Sequence, residues 1–377
     1  MSDGELPADT PSLIPAGSPF PIEAPIAGAP AVSPSAPPAG VAPPRVGESI
    51  GGAFDLAIGA SRQIRSASIY FGLVALALVG PGLVLFLAML RRGGGLPGIV
   101  DGSYEIFLAL GSAPPTAETM LRLAVFCAIV GAFAVFLEGQ IVVTAILGAV
   151  AGGRRVSLRD TLQLSREVFW PVLGGSILVG IVGRVADWIV EALLRPTTVS
   201  AAQGVAVVQF IATAIVTAPF AFWLAGIVIG GVGPVETLKR SVRIAVTRWR
   251  LAILVAATGT VLSIIELFGF LAGADLIVRL FGVLGLDIGG TPTNAIVTSL
   301  ILLAGLVAMS SLLITIAALV AAPQVYVFIR MTGYTDGLNR ARRDPRPGEP
   351  PTRLITRSML ALIAFAVVVS VAGLTTL

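Results

Sequence analysis

The chain of 377 residues contains no histidine, a single cysteine and a single lysine. The absence of histidine excludes the common zinc-binding patterns, the serine–histidine pair of many hydrolases and most general acid–base catalysis at neutral pH. The one cysteine, Cys127, excludes an intrachain disulfide, and its position inside an apolar run argues against thiol chemistry. The one lysine, Lys239, follows no glycine-rich phosphate-binding loop, which excludes a P-loop nucleotide site. These absences predict a protein that is not an enzyme and that binds neither a cofactor nor a metal.

Charged residues are scarce as well, at 12% of the chain against roughly 25% in an ordinary soluble domain. Hydrophobic residues account for 55% of the chain, and the mean hydropathy is +0.93. The short alternating strands of an outer-membrane barrel are absent, so the apolar runs predict helices. We therefore predict an all-α fold, a polytopic transmembrane helix bundle of about seven spans of roughly 20 residues each. The spans are placed near residues 69–90, 121–150, 170–192, 205–231, 250–273, 296–328 and 358–377.

The other segments flank or join these spans. Residues 1–45 hold twelve of the 26 prolines and are predicted to be a disordered Pro/Ala-rich tail. The tail is interpreted either as a segment that binds an SH3-type domain or crosses the cell wall, or as a solvated tail with no partner. Residues 46–340 form a predicted six-helix membrane domain. Residues 341–357 are a predicted basic Pro-rich linker, and residues 358–377 are an additional C-terminal span.

Basic residues are unevenly divided between the two sides of the predicted bundle. The segment before the first span and the loops at 151–170, 232–250 and 329–357 carry 19 of the 25, which the positive-inside rule places in the cytoplasm. Five lie on the opposite side, and the adjacent pair Arg91 and Arg92 is the clearest exception to the rule. The first residues lack the apolar core of a signal peptide. We expect a plasma-membrane protein with a cytoplasmic N-terminus and an external C-terminus.

An internal repeat relates two of the predicted cytoplasmic loops. Residues 156–165 (VSLRDTLQLS) align without gaps with residues 232–241 (VGPVETLKRS). The identical positions are Val156/Val232, Thr161/Thr237, Leu162/Leu238 and Ser165/Ser241. A weaker third copy begins at Val46. Each copy is predicted to be a short amphipathic helix, here called an elbow, that leads into a pair of spans, which gives repeat units 46–150, 154–231 and 232–329.

The best-defined elbow extends over residues 232–249, with Gly233 and Pro234 placed as N-cap and first-turn proline. Its apolar residues form one stripe of a helix, and the other side carries the basic residues Lys239, Arg240, Arg243 and Arg250. These four are a candidate contact with anionic lipid headgroups, which makes the lipid bilayer the expected partner. The alternative is a structural elbow that sets the angle between hairpins and is basic because it faces the cytoplasm. No nucleic-acid partner is predicted, since the basic residues follow membrane topology.

Four ionisable residues are predicted within one layer of the membrane: Glu138, Arg184, Asp187 and Glu266. Counted at ~1.5 Å per residue from the expected cytoplasmic boundaries, they lie about 21–25 Å deep, in the outer half of a bilayer ~30 Å thick. One hypothesis is an outward-facing polar cavity in which Arg184 pairs with Glu138 or Asp187 and a surplus carboxylate binds a cation or proton, as in a small-solute or ion permease. The alternative is an ion-pair network that holds the bundle together.

Three segments resemble parts of a known family: VGPVETLKRSVRIAVTRW, VSLRDTLQLSREVFWPVL and LVAAPQVYVFIRMTGYTDGL. Over about residues 46–340 the chain resembles the glycerophosphoryl diester phosphodiesterase membrane-domain family of multi-pass bacterial proteins. It differs at the usual ending, since Val327 and Phe328 follow Tyr326 where the family has an acidic residue. The resemblance implies a six-helix membrane module, here with a seventh span, that is accessory to membrane lipid or glycerophosphodiester handling. Phosphodiesterase activity is not implied, because the family's catalytic barrel depends on histidines.

Overall fold

The computed structural model of the chain describes residues 46–92, 114–154, 156–194, 199–284, 291–333, 336–340 and 353–377. Within these ranges all regular structure is helical, which confirms the predicted all-α class. The helices are α1 (Val46–Arg92), α2 (Pro115–Ala151), α3 (Leu158–Leu194), α4 (Val199–Thr217), α5 (Trp223–Val228), α6 (Pro234–Thr247), α7 (Trp249–Leu284), α8 (Pro292–Thr332), α9 (Gly337–Arg340) and α10 (Arg357–Thr376). A short 3-10 turn, Ala218–Phe220, separates α4 from α5. The predicted tail (1–45) and most of the predicted linker (341–357) lie outside the described residues.

Several helices are long and apolar enough to cross a membrane. In the described part of the chain there are five such segments: Gly47–Arg92, Pro115–Ala151, Val207–Val228, Thr293–Thr332 and Arg357–Thr376. A sixth would be counted if α6 and the first part of α7, which meet at a bend of 115°, formed one span. Helix α3, which contains the predicted span 170–192, is not among them. The apolar helices are compatible with an integral membrane protein, and the count of seven spans stays a prediction.

Helices α1, α2 and α8 form the centre of the bundle, and small residues allow α1 to approach α8 closely. A methyl group at Gly72 in α1 would lie 3.0 Å from the carbonyl oxygen of Val307 in α8. One turn earlier, the hydroxyl of Ser68 forms a hydrogen bond of 3.1 Å with the hydroxyl of Thr315. Ser311 donates to the carbonyl of Ser68, also at 3.1 Å. The glycine and these hydroxyl groups hold α1 against α8, which runs antiparallel to it.

The three predicted elbows do not share one geometry. In the first two units no separate elbow helix forms, because α1 and α3 each run without a break from the elbow segment into the apolar segment. A continuous helix keeps its own backbone hydrogen bonds at the membrane boundary, which explains this difference from the prediction. In the third unit α6 is a separate helix, as predicted. It ends at Arg248, whose backbone (φ −136°, ψ 53°) leaves the helical region before α7 begins.

Two elbow segments begin at helix caps, and the start of α6 at Gly233 and Pro234 is the predicted one. The Asp160 N–H donates to Ser157 Oγ at 3.3 Å, and the Ser157 N–H donates to Asp160 Oδ2 at 3.0 Å. This reciprocal pair is a capping box at the first turn of α3. Gly233, with an extended backbone, is the N-cap of α6, and Pro234 occupies its first turn. Local sequence therefore determines where both elbow segments begin.

The identical hydroxyl residues of the repeat are buried contact points rather than surface residues. At most 2% of each is exposed, for Thr161, Ser165, Thr237 and Ser241. Ser241 Oγ donates to the Pro219 carbonyl at 2.7 Å and accepts the Phe222 N–H at 3.2 Å. These backbone groups lie at the break between α4 and α5, where the helix does not satisfy all of its own hydrogen bonds. Ser241 therefore fixes α6 to the interrupted second hairpin.

Replacing this hydroxyl should loosen the junction. Ser241→Ala is expected to lower the free energy of unfolding by about 2 kcal/mol, because it leaves a carbonyl and an N–H unpaired in an apolar environment. Thermal unfolding of the full chain in detergent measures the loss. Thr247→Ala is the matched control, since the Thr247 hydroxyl is exposed and donates to the Arg243 carbonyl of its own helix. An equal loss of stability in the two variants would contradict the bridging role of Ser241.

Candidate functional site

Glu138 is buried in α2 and is held by the first turns of α3. Its Oε1 accepts a hydrogen bond of 3.2 Å from Ser165 Oγ and lies 3.6 Å from Arg166 Nε. At that distance the second contact is an ion pair rather than a hydrogen bond. The side chain of Glu138 is 8% exposed and that of Arg166 is 26% exposed. Because a carboxylate in an apolar interior is costly unless it is paired and hydrogen-bonded, these contacts explain how Glu138 is tolerated there.

Arg166 also binds the segment that leads into α10. Its Nη1 donates to the Arg353 carbonyl at 2.6 Å, and its Nη2 donates to the Leu354 carbonyl at 2.7 Å. The Tyr70 hydroxyl of α1 donates to the same Leu354 carbonyl at 2.5 Å. We define the Arg166 cluster as Tyr70, Glu138, Ser165, Arg166 and the carbonyls of Arg353 and Leu354. The Arg166 cluster joins α1, α2, α3 and the start of α10.

A cavity of about 330 Å³ lies beside the Arg166 cluster. Its polar wall contains Glu138, Arg166 and the hydroxyl residues Thr356 and Ser358, and Trp170 belongs to its largely apolar remainder. Both contacts of Glu138 with the described residues involve Oε1. The cavity can therefore hold the polar part of an amphiphilic molecule next to an apolar part.

Two exposed tryptophans of α3 show near which end of the bundle the Arg166 cluster lies. Trp170 is 74% exposed and Trp188 is 70% exposed. Their separation corresponds to ~27 Å along a helix, close to the thickness of a hydrocarbon layer, and tryptophan is enriched at the two bilayer interfaces. Arg166 lies one turn before Trp170, and α10 begins at the same level. The cluster therefore lies at the elbow side, defined as the end of the bundle at which α3, α7 and α10 begin.

The structure does not bring the predicted intramembrane charges into one layer. Arg184 lies 18 residues beyond Arg166 on α3, or ~27 Å along the helix. It is exposed and forms no ion pair with the described residues, while Asp187 accepts a hydrogen bond of 2.6 Å from Thr213. The predicted common depth is wrong for these two residues, and Glu138 pairs with Arg166 instead. The side chain of Glu266, in α7, lies outside the described residues.

The error comes from the inner boundary that was assumed for α2. The predicted depth of Glu138 requires α2 to reach the headgroups at its C-terminal end. Residues 141–149 are instead all buried by protein, so the last turns of α2 are enclosed rather than exposed to a headgroup layer. Glu138 therefore lies near the elbow-side boundary and far from Asp187.

Helix α6 packs on the protein through small residues and exposes its apolar stripe. The buried residues are Thr237, Ser241 and Ala245. Val235 is 66% exposed and Val246 is 76% exposed. Since α6 meets α7 at a bend of 115°, it runs nearly along the membrane surface wherever α7 crosses the membrane. The apolar stripe is therefore exposed rather than packed in the protein core.

The basic residues predicted for lipid contact flank this stripe. Lys239, Arg243 and Arg250 are exposed. Arg240 is paired with Glu236 at 3.2 Å within α6. The Arg250 guanidinium lies 5.6 Å from the centre of the Trp249 ring, a cation–π contact that keeps both groups at the start of α7. We define the α6 face as the exposed residues Val235, Lys239, Val242, Arg243 and Val246.

Sequence reasoning missed Tyr70 and Arg166, although both lie in segments that it had singled out. Arg166 was counted among the cytoplasmic basic residues, and it follows Ser165, one of the identical positions of the repeat. A repeated serine beside an arginine was the available signal. The partners of Arg166 on α10 are distant in sequence, so no local pattern indicated them.

Among the described residues no group of three or more His, Cys, Asp or Glu side chains could hold a metal ion. No protein-family model, curated protein or solved structure matches the chain.

Loss of the Arg166 side chain should destabilise the protein. Arg166→Gln is expected to cost about 2 kcal/mol, below the ~3–5 kcal/mol for a fully buried pair because Arg166 is partly exposed. The double variant Glu138→Gln/Arg166→Gln should lose less than Arg166→Gln alone, since no unpaired buried carboxylate remains. Thermal unfolding in detergent measures both. Arg159→Gln, an exposed arginine of the same helix, is the control, and a loss equal to that of Arg166→Gln would refute the role of the cluster.

Proposed function

We propose that the protein is a non-enzymatic, multi-pass protein of the bacterial plasma membrane that holds α6 in the headgroup layer and binds anionic lipid there. The observation that carries this proposal is the α6 face, in which exposed valines are flanked by Lys239 and Arg243. The lipid bilayer is the partner, and neither a cofactor nor a metal takes part.

The physical basis is the behaviour of amphipathic helices at an interface. Their apolar side chains enter the boundary between headgroups and acyl chains, and basic side chains beside them reach the phosphates. Each basic residue contributes about 1 kcal/mol near an anionic surface. The buried side of α6 is fixed by Ser241 and by Thr237, which packs against Gly226. The α6 face is thus presented in one orientation, and little conformational entropy is lost when lipid binds.

The same proposal includes seven spans and an orientation. The elbow side carries most of the basic residues of the chain, so we place it in the cytoplasm together with the N-terminus. An odd number of spans then places the C-terminal end of α10 outside. The α6 face would contact the inner leaflet, where anionic lipid headgroups meet the cytoplasm.

Orientation can be tested with single cysteines in a Cys127→Ser background. Thr247→Cys lies on the elbow side and Thr293→Cys lies in the first turn of α8, and both positions are exposed. In intact cells a membrane-impermeant maleimide should label Thr293→Cys, and it should label Thr247→Cys after the membrane is permeabilised. The reverse pattern would overturn the proposed orientation.

Neutralising the α6 face should weaken the preference for anionic lipid. In nanodiscs, added phosphatidylglycerol should raise the unfolding temperature of the wild type more than phosphatidylcholine does. Lys239→Gln/Arg243→Gln should remove most of this difference between the two lipids, about 2 kcal/mol at ~1 kcal/mol per charge. In the wild type, added salt should reduce the same difference by screening the charges. Arg62→Gln/Arg65→Gln is the charge-matched control on exposed positions of α1. An equal loss in the control would show a general charge effect and contradict a specific role of α6.

The loop motifs suggest the setting in which such a module acts. Their resemblance to the glycerophosphoryl diester phosphodiesterase membrane-domain family supports an accessory role in membrane lipid or glycerophosphodiester handling. In that role the protein gathers lipid at its elbow side, and a separate protein carries out any chemistry.

A small-solute or ion permease is the second candidate. It is favoured by Glu138, a carboxylate that lines the cavity beside the Arg166 cluster. It is disfavoured by the separation of ~27 Å along α3 between Arg166 and Arg184. The charges expected to line one pathway therefore lie at different ends of the apolar layer.

A further inference from the structure

A second cavity lies on the hairpin side, the end of the bundle opposite the elbow side, between the last turns of α1 and the first turns of α8. It encloses about 400 Å³. Its wall includes Val84, Leu87 and Arg91 of α1 and Ile296, Thr298 and Leu300 of α8. The wall is thus apolar except for a guanidinium group and a few hydroxyl groups.

The hydroxyl of Thr298 lacks a hydrogen-bond partner among the described residues. Thr298 is 1% exposed, so the hydroxyl is not hydrated by bulk water. Other hydroxyls in these helices donate to the carbonyl one turn earlier, as Ser299 does to Ala295 at 2.8 Å. Because buried hydroxyls are nearly always paired, an unpaired one that lines a cavity indicates an acceptor supplied by a ligand.

Arg91 supplies a positive charge to the same cavity. It is exposed, and it forms no ion pair with the described residues. The N-terminus of α8, capped by Thr291, adds a partial positive charge near the start of the opposite wall. Arg91 and Arg92 are also the basic pair that departs most clearly from the positive-inside distribution. An anionic group at this end would compensate that charge.

The order of these groups along the cavity matches one class of molecule. Gly80 packs on Leu303 across the antiparallel helices, so Thr298 is level with about Leu85. The backbone of Arg91 then lies ~9 Å nearer to the membrane surface than Thr298 does. The long side chain of Arg91 can cover this distance by bending back toward the level of Thr298. Val84 and Leu300 are exposed and lie farther from the membrane surface than Arg91 does. Phosphate, ester carbonyl and acyl chain follow one another in the same order in a glycerophospholipid.

We infer that this cavity binds one glycerophospholipid molecule of the hairpin-side leaflet. Arg91 contacts the phosphate, the Thr298 hydroxyl donates to an ester carbonyl, and an acyl chain packs on Val84 and Leu300. The site is independent of the α6 face, which lies on the elbow side and selects for net negative charge. It recognises the phosphate and the ester linkage that glycerophospholipids share.

The test is native mass spectrometry of the full chain, purified in detergent and depleted of lipid. The probes are ester-linked phosphatidylcholine, its ether-linked analogue and a diacylglycerol with the same chains. Phosphatidylcholine has no net charge, so the α6 face contributes little to its retention. The wild type should retain one ester-linked molecule, and the ether analogue and the diacylglycerol should bind about tenfold more weakly, ~1.4 kcal/mol.

Two variants assign the contacts. Arg91→Gln should weaken both forms of phosphatidylcholine about tenfold. Thr298→Val should abolish the difference between ester and ether forms. Arg92→Gln is the matched control, since it removes an adjacent charge that does not line the cavity. In lipid-depleted protein, Thr298→Val should keep or raise the unfolding temperature, because it replaces an unpaired hydroxyl by a methyl group.

Equal retention of ester and ether lipid by the wild type would overturn the carbonyl contact and with it the proposal. So would equal effects of Arg91→Gln and Arg92→Gln, which would indicate surface charge alone. A lower unfolding temperature of lipid-depleted Thr298→Val would show that the hydroxyl already has a partner within the protein, which would also overturn it. None of these outcomes bears on the α6 face, which its own charge variants test.

Discussion

Backbone groups that leave a helix inside an apolar environment need a partner from the protein, and the architecture depends on how this need is met. At the break between α4 and α5, the Ser241 hydroxyl of α6 binds the Pro219 carbonyl and the Phe222 N–H. At the entry of α10, Arg166 of α3 and Tyr70 of α1 bind the carbonyls of the chain before the helix begins. Ser241 and Arg166 both come from repeated elbow segments. The elbows are therefore the parts that make an interrupted helix and an additional span compatible with the bundle.

This constraint also explains where charge is placed. Arg166 is partly buried where it binds the Arg353 and Leu354 carbonyls. Its charge and the charge of the buried Glu138 compensate each other, because the two side chains form an ion pair. Helix α6 follows the opposite arrangement, because its small hydroxyl residues face the protein while its valines and Lys239 face outward. A soluble amphipathic helix would bury its apolar stripe. The inverted arrangement is the expected one where the surroundings are hydrocarbon and headgroups, and it is the main support for a lipid-facing function. Thr298 is one of four described residues with a buried side-chain polar atom that has no hydrogen-bond partner.

Much of the fold follows from local pattern. Long apolar runs predict helices, and the cap residues Ser157 and Gly233 set the starts of α3 and α6 as expected. The repeat identified Ser165 and Ser241 by identity alone. It could not show that they are buried, because burial depends on a partner far away in the chain. The prediction of the depth of Glu138 is wrong for a related reason. Helix length gives depth only when the boundary is known, and the end of α2 is covered by protein rather than by headgroups.

The sequence by itself determined the helical class, the long apolar segments that are compatible with an integral membrane protein, and the start of α6 at Gly233, because each depends on composition or on short spacing. Only the tertiary structure decided that Arg166 pairs with Glu138 and binds the chain before α10, that Arg184 lies elsewhere, and which side of α6 packs on the protein. These outcomes depend on contacts between helices that are remote in sequence. In a chain where nearly every helix face is apolar, hydrophobic periodicity cannot distinguish a face that packs on protein from one that meets lipid.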